Sequence, residues 1–168
     1  AQGWFHTGDL GHIDDDGFLF ITGRKKDLIV TAGGENVAPV PIEHLLIAAP
    51  LIAQAMVVGD DRPHLAALLV PEWSQVASAG ERAAAAEDST VRQQIDEVVE
   101  SVNRLLPEHE RIRSWALVPD VFTVEGGELT PTLKLRRPIV AQRYDPAEDD
   151  PDGPPALPMP SSPATSRY

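Results

Sequence analysis

Segments 10–13 and 18–22, with apolar residues at Leu10, Ile13 and 18–21, flank Asp14-Asp15-Asp16-Gly17, whose glycine can take the positive φ that a short hairpin loop needs. That pattern predicts a hairpin. A second hairpin is predicted at 52–58 and 65–70, two apolar runs joined through Gly59-Asp60-Asp61-Arg62-Pro63. Between them Ile42, Leu45 and Leu46 fall at i, i+3 and i+4, with Pro41 at a first helical position and Pro50 as a stop, so a short amphipathic helix is expected. The longest helix is marked by Val91, Ile95, Val98, Val99, Val102, Leu105 and Leu106, all on one face of a 3.6-residue period, and Pro107 ends it. Thr90, three residues before Gln93, has the form of a capping box. Residues 81–87, which contain four consecutive alanines, are open to a helical turn or a loop, and 115–118 and 122–124 are strand candidates. The elements sum to an α+β fold: short antiparallel hairpins and small sheets with two or three helices, no internal repeat and no parallel βαβ succession.

Composition changes the picture at the C-terminus. Of sixteen prolines, seven lie in residues 144–168, where five acids face one base and the few apolar residues have no period. Such a segment buries too little surface to offset its ordering entropy, so a disordered, Pro-rich acidic tail is expected. It supplies -4 of the formal charge of -12, so the rest of the chain is acidic too. That balance argues against nucleic acid or an anionic membrane held by a general basic surface, while a local cationic cluster can still bind an anion. With no cysteine in 168 residues, disulfides, thiolate metal sites and a cysteine nucleophile are excluded. No apolar run approaches the roughly 18 residues of a transmembrane helix, and no signal-peptide pattern opens the chain. The chain begins at Ala1, directly in patterned, glycine-rich sequence, which suggests a fragment or a mis-called start.

Several familiar devices are absent or imitated. Asp14, Asp16 and Gly17 resemble part of a calcium loop, but in that register the first ligand is His12 and the twelfth is Gly23, so a solvated turn is the better reading. The five histidines have no metal-ligand spacing, and no metal site is expected. Neither a G-x-S-x-G elbow, a phosphate loop nor a dinucleotide fingerprint occurs.

Three words remain. In Gly3-Trp4-Phe5-His6-Thr7-Gly8-Asp9-Leu10 the carboxylate of Asp9 stands in a loop before a strand. It can accept hydrogen bonds from vicinal hydroxyls such as ribose presents, or simply cap a turn. In residues 23–39, Arg24 offers a planar fork for phosphate or ribose oxygens, and Gly33-Gly34 lets backbone approach a ligand without a Cβ in the way; a charged strand end and a glycine turn are the plainer alternative. In Gly126-Gly127-Glu128-Leu129-Thr130-Pro131-Thr132-Leu133-Lys134-Leu135-Arg136-Arg137, glycine and proline fix a loop that presents Lys134, suited to neutralising charge on a phosphoryl group or to lying in an exposed basic patch.

Taken in order over residues 1–143, the three words resemble the adenylate-forming superfamily of acyl-CoA synthetases, peptide adenylation domains and luciferases. Thr132-Leu133 stands where many relatives carry an asparagine- or serine-glycine pair, and this makes the chain most similar to the long-chain fatty acid CoA ligases. The resemblance implies that Asp9 and Arg24 contact nucleotide and that Lys26 is the hinge of a small C-terminal domain. It also implies that Gly33, Gly34 and Glu35 line the CoA tunnel and that Lys134 is the catalytic lysine of adenylation. By the same likeness residues 1–25 are a remnant of a large N-terminal adenylation domain, 26–143 the C-terminal lid and 144–168 the tail. ATP, Mg2+, CoA and a fatty acid are the implied substrates and cofactors, the missing large domain is the implied partner, and the cytoplasm is the implied location, with peripheral membrane contact open to the complete enzyme. A freestanding, non-catalytic adaptor and an adenylating enzyme with a different acyl acceptor are the alternatives.

Overall fold

The structure, a computed structural model, describes residue 3 and residues 5–76 and 88–144. The predicted element at 81–87 and the tail from 145 onwards lie outside the described residues.

The first hairpin pairs β1 (Asp9–Ile13) with β2 (Leu19–Arg24) antiparallel. Its turn is built by Asp14, whose carboxylate accepts from the amides of Asp16 and Phe18 at 3.0 and 2.8 Å, while Gly17 takes φ +89°. The acid that imitates a calcium ligand is thus committed to its own turn. A single 3-10 turn (Lys25–Asp27) leads to a two-residue ladder of β3 (Ile29–Val30) and β4 (Asn36–Val37), and then to helix α1 (Pro39–Ile47). That helix starts two residues earlier than Pro41 predicts, because Pro39 already supplies the fixed φ of a first helical position.

The central sheet has strand order β5 (Ile52–Val58), β6 (Leu65–Pro71), β7 (Ile112–Leu117), with β5–β6 antiparallel. β6 and β7 run parallel, which corrects the expectation of no parallel βαβ succession. A parallel return requires a long crossover, and helix α3 (Ser89–Asn103) lies in it. A one-turn helix α2 (Trp73–Val76) follows β6, and α4 (Arg137–Tyr144) ends the described chain, its last residue the first of those assigned to the tail.

Alternation along the strands divides the core between the two faces of this sheet. Ala55, Val57, Leu65, Ala67 and Leu69 pack with α1 and with Val91, Ile95, Val99 and Val102 of α3. Met56, Val58, Ala66, Leu68 and Val70 pack on the other side with Phe122 and Val140 of α4. A strand covered on both faces needs apolar side chains at every position, which is why β6 and the second half of β5 read as continuous apolar runs.

Two further expectations are corrected. Residues 122–124 form no strand: the amide of the Gln54 side chain donates to the Phe122 carbonyl at 3.1 Å and accepts from its N–H at 2.7 Å, and so occupies the place of a neighbouring strand. Helix α3 is capped by Asp88, whose carboxylate accepts from the amides of Thr90 and Val91 at 2.7 and 3.3 Å, while Gln93 turns to Glu97 at 3.3 Å in place of closing a box with Thr90.

Candidate functional site

Asp9 and Arg24, drawn from different words, meet across the first hairpin. They are register partners, and Arg24 Nε lies 3.0 Å from Asp9 Oδ1, with both side chains partly open to solvent. The Asp9 amide donates to Thr7 Oγ1 at 3.1 Å, and the Lys25 amide to the Gly8 carbonyl at 2.8 Å, so the loop before β1 is tied to the end of β2. A carboxylate and a guanidinium side by side form a donor and acceptor pair suited to a sugar's vicinal hydroxyls. Lys26 sits in the 3-10 turn that follows, between Arg24 and Leu28, both extended.

Gly33, Gly34 and Glu35 form the tip of the β3–β4 hairpin. Thr31 organises this tip: its N–H donates to the Glu35 carbonyl at 3.0 Å, its carbonyl accepts from Gly34 at 2.8 Å, and its hydroxyl accepts from the Glu35 amide at 3.2 Å. Gly34 takes φ +81°, which an L side chain adopts only with strain. All three residues at the tip are exposed, so their backbone faces solvent above a buried Thr31.

Lys134 lies on a separate, tight hairpin closed by a bridge between Leu129 and Leu135. Within it the Thr130 amide donates to the Lys134 carbonyl at 2.9 Å, the Lys134 amide donates to Thr130 Oγ1 at 3.1 Å, and the Leu133 amide donates to the Thr130 carbonyl at 2.8 Å. Leu133 adopts φ +60° and is 72% exposed, so its conformation is imposed by the turn and not by packing. The three cations of this word divide their roles. Arg137 forms a fork with Glu43, two contacts of 2.7 Å, and Arg136 reaches the Gly127 carbonyl at 3.5 Å. The exposed ammonium of Lys134 has no hydrogen-bond or ion-pair partner among the described residues.

Two carboxylates that the sequence reading passed over hold this hairpin. Glu43, 6% exposed on α1, accepts from the Val57 amide at 2.8 Å as well as from Arg137. Glu128, 3% exposed, accepts from the Thr123 amide at 3.2 Å and pairs with Arg143. Glu43 left a signal: it shares the buried stripe of α1 with Pro39, Ile42 and Leu46, and a lone carboxylate in an apolar stripe calls for a cation from elsewhere in the fold. Among the described residues no group of three or more histidine, aspartate or glutamate side chains is placed to hold a metal, and no helix is long and apolar enough to cross a membrane.

Residues 26–147 match the AMP-binding enzyme C-terminal domain. The chain is 48% identical over 156 residues to the long-chain-fatty-acid-CoA ligase FadD15 of Mycobacterium tuberculosis, covering 86% of this chain and 26% of that protein. It is 41% identical over 171 residues to the long-chain-fatty-acid-CoA ligase ACSBG1 of Homo sapiens, covering 85% of this chain and 23% of that one. Among solved structures, the adenylation domain of the carboxylate reductase GR01_22995 from Mycobacterium chelonae is similar with a TM-score of 0.70 and 29% identity, over 83% of this chain and 22% of that chain. A Mycobacterium tuberculosis fatty acyl CoA synthetase is similar with a TM-score of 0.53 and 28% identity, over 86% of this chain and 25% of that chain. The chain spans about a quarter of the length of the curated relatives it matches. From its profile, its relatives and its fold, the chain belongs to the family of AMP-binding enzyme C-terminal domains.

Proposed function

We propose that this chain is the C-terminal lid of an ATP-dependent long-chain fatty acid CoA ligase. The observation that carries this reading is the ammonium of Lys134, without a partner among the described residues and held out on a braced hairpin in a chain whose relatives are long-chain-fatty-acid-CoA ligases. In the first half-reaction the fatty acid carboxylate attacks the α-phosphorus of MgATP, giving acyl-adenylate and pyrophosphate. Lys134 meets the negative charge that develops there, and Asp9 with Arg24 binds the nucleotide. In the second, CoA thiolate attacks the acyl carbon and AMP leaves. The Gly33-Gly34 tip, bare of side chains, then faces CoA with Glu35 beside it.

One domain serves both steps by turning about Lys26. A single 3-10 turn with an extended residue on each side is a short segment able to absorb such a rotation. Residues 1–25 belong on this reading to a large adenylation domain and the lid runs from residue 26 through 144, one residue further than expected because Tyr144 closes α4 and packs on Phe122, with the appended tail after it. The first hairpin supports that boundary, since Phe5, Ile13, Phe18, Leu19 and Ile21 are each more than 60% exposed and present apolar surface for a neighbour to cover. The 168-residue chain by itself does not turn over; catalysis needs the large domain that supplies the acyl pocket.

The test is AMP release by the full-length protein supplied with a long-chain fatty acid and MgATP, with and without CoA. Sustained release that requires both acid and CoA is expected. Sustained release indifferent to CoA contradicts the reading. It would make water the acyl acceptor, whereas no sustained release even with CoA would favour a different acceptor, the alternative to which the likeness with a carboxylate reductase adenylation domain points.

A further inference from the structure

We propose that Glu43 is a positioning residue for adenylation: through Arg137 it fixes the height and direction at which the Lys134 hairpin leaves the domain. The inference rests on the reading of Lys134 given above. Arg137 stands three residues after Lys134 and opens α4. Its guanidinium grips Glu43 with two contacts of 2.7 Å, from a helix 94 residues earlier in the chain. Both partners are largely withdrawn from water, with side-chain exposures of 23% and 8%.

The pair is also keyed to the sheet. β5 is an edge strand, and on its open side Glu43 accepts the Val57 N–H at 2.8 Å while Arg137 donates to the Val57 carbonyl at 3.4 Å. One carboxylate and one guanidinium therefore do at Val57 what a fourth strand would do, and the start of α4 is registered against the edge of the central sheet. The Arg136 amide donates to the Glu128 carbonyl at 2.8 Å, closing the neck of the hairpin just before this anchor. Glu43 and Arg137 bond to each other and to Val57, so their influence on Lys134 passes through backbone position.

A displacement of about 1 Å at a catalytic group costs on the order of a hundredfold in rate. Glu43→Gln in the full-length protein should therefore slow acyl-adenylate formation by roughly tenfold to a hundredfold. Thioester formation from preformed acyl-adenylate and CoA should stay near wild type, because Lys134 is withdrawn in that step. Because Glu43→Gln can also destabilise the domain, the pair Glu43→Leu with Arg137→Met is measured beside it; apolar replacement of a buried ion pair is often neutral or stabilising. In that double variant the melting temperature should return to wild type while adenylation stays slow.

Equal loss in both half-reactions, or adenylation that recovers together with the melting temperature, overturns the proposal and leaves Glu43 with a purely structural role. Lys134→Ala serves as the reference. If it does not slow adenylation, the functional reading of Lys134 fails; if it does and Glu43→Gln does not, only the positioning role fails.

Discussion

Leu133 shows how the turn that presents Lys134 is made. A leucine held at φ +60° carries a strain of about 1–2 kcal/mol, and with 72% of its surface exposed it recovers little by burial. Glycine removes the strain but loses more backbone entropy on folding, roughly 0.5–1 kcal/mol. In urea unfolding of the chain, Leu133→Gly should be as stable as wild type or up to about 1 kcal/mol better, while β-branched Leu133→Val should be worse by about 1 kcal/mol. The opposite order would show that Leu133 is held by contacts and not by the turn. The same position made the chain resemble the long-chain branch of its family, so the residue that marks the branch also bends the hairpin. The division of labour among Lys134, Arg136 and Arg137 was not legible from three cations in four residues. It depends on Glu43, which sequence proximity cannot supply.

At the scale of elements, periodicity located most of the secondary structure, because a 3.6-residue stripe or a continuous apolar run reports directly on burial. Both corrected strand expectations are of another kind. The pairing of β6 with β7 is decided by the whole crossover, and residues 122–124 are held by the amide of Gln54. Asn103 uses the same device on β7, donating to the Ile112 carbonyl and accepting from its N–H, both at 2.9 Å. A side-chain amide that substitutes for backbone leaves no periodic trace.

Asp88 was likewise overshadowed by the capping-box word at Thr90. Hydrogen bonds from the amides of Thr90 and Val91 hold its carboxyl below the usual aspartate range. A group whose folded value is depressed stabilises the fold above its unfolded value, and that contribution disappears as pH falls through the folded one. Asp88→Ala should thus lower the melting temperature at neutral pH, and its deficit should narrow as pH drops below about 4. Asp88→Asn, itself a good cap, should keep most of the stability. A deficit that does not change with pH would assign the loss to helix propensity and not to the charged cap.

In the molecule as a whole, one three-stranded sheet with both faces covered carries two presentation hairpins that differ in construction. The glycine tip offers bare backbone, and the Thr130 turn offers a lysine anchored to the sheet edge through Arg137 and Glu43. Two of the three words that stood out in the sequence are these hairpins, and the Asp9 of the first word lies in contact with Arg24 across the separate β1–β2 hairpin. What remained hidden was the pair of buried carboxylates beneath the lysine hairpin, since a single glutamate among apolar residues shows a need for a partner without naming it.

On the reading proposed for it, Lys134 serves acyl-adenylate formation and not thioester formation. Replacing it with alanine in the full-length protein and timing the two half-reactions separately tests this directly. Adenylation should be slower by ~10² to 10³-fold, the range for loss of one preorganised donor, with thioester formation from preformed acyl-adenylate close to wild type. Equal slowing of both steps, or no slowing of adenylation, would contradict it.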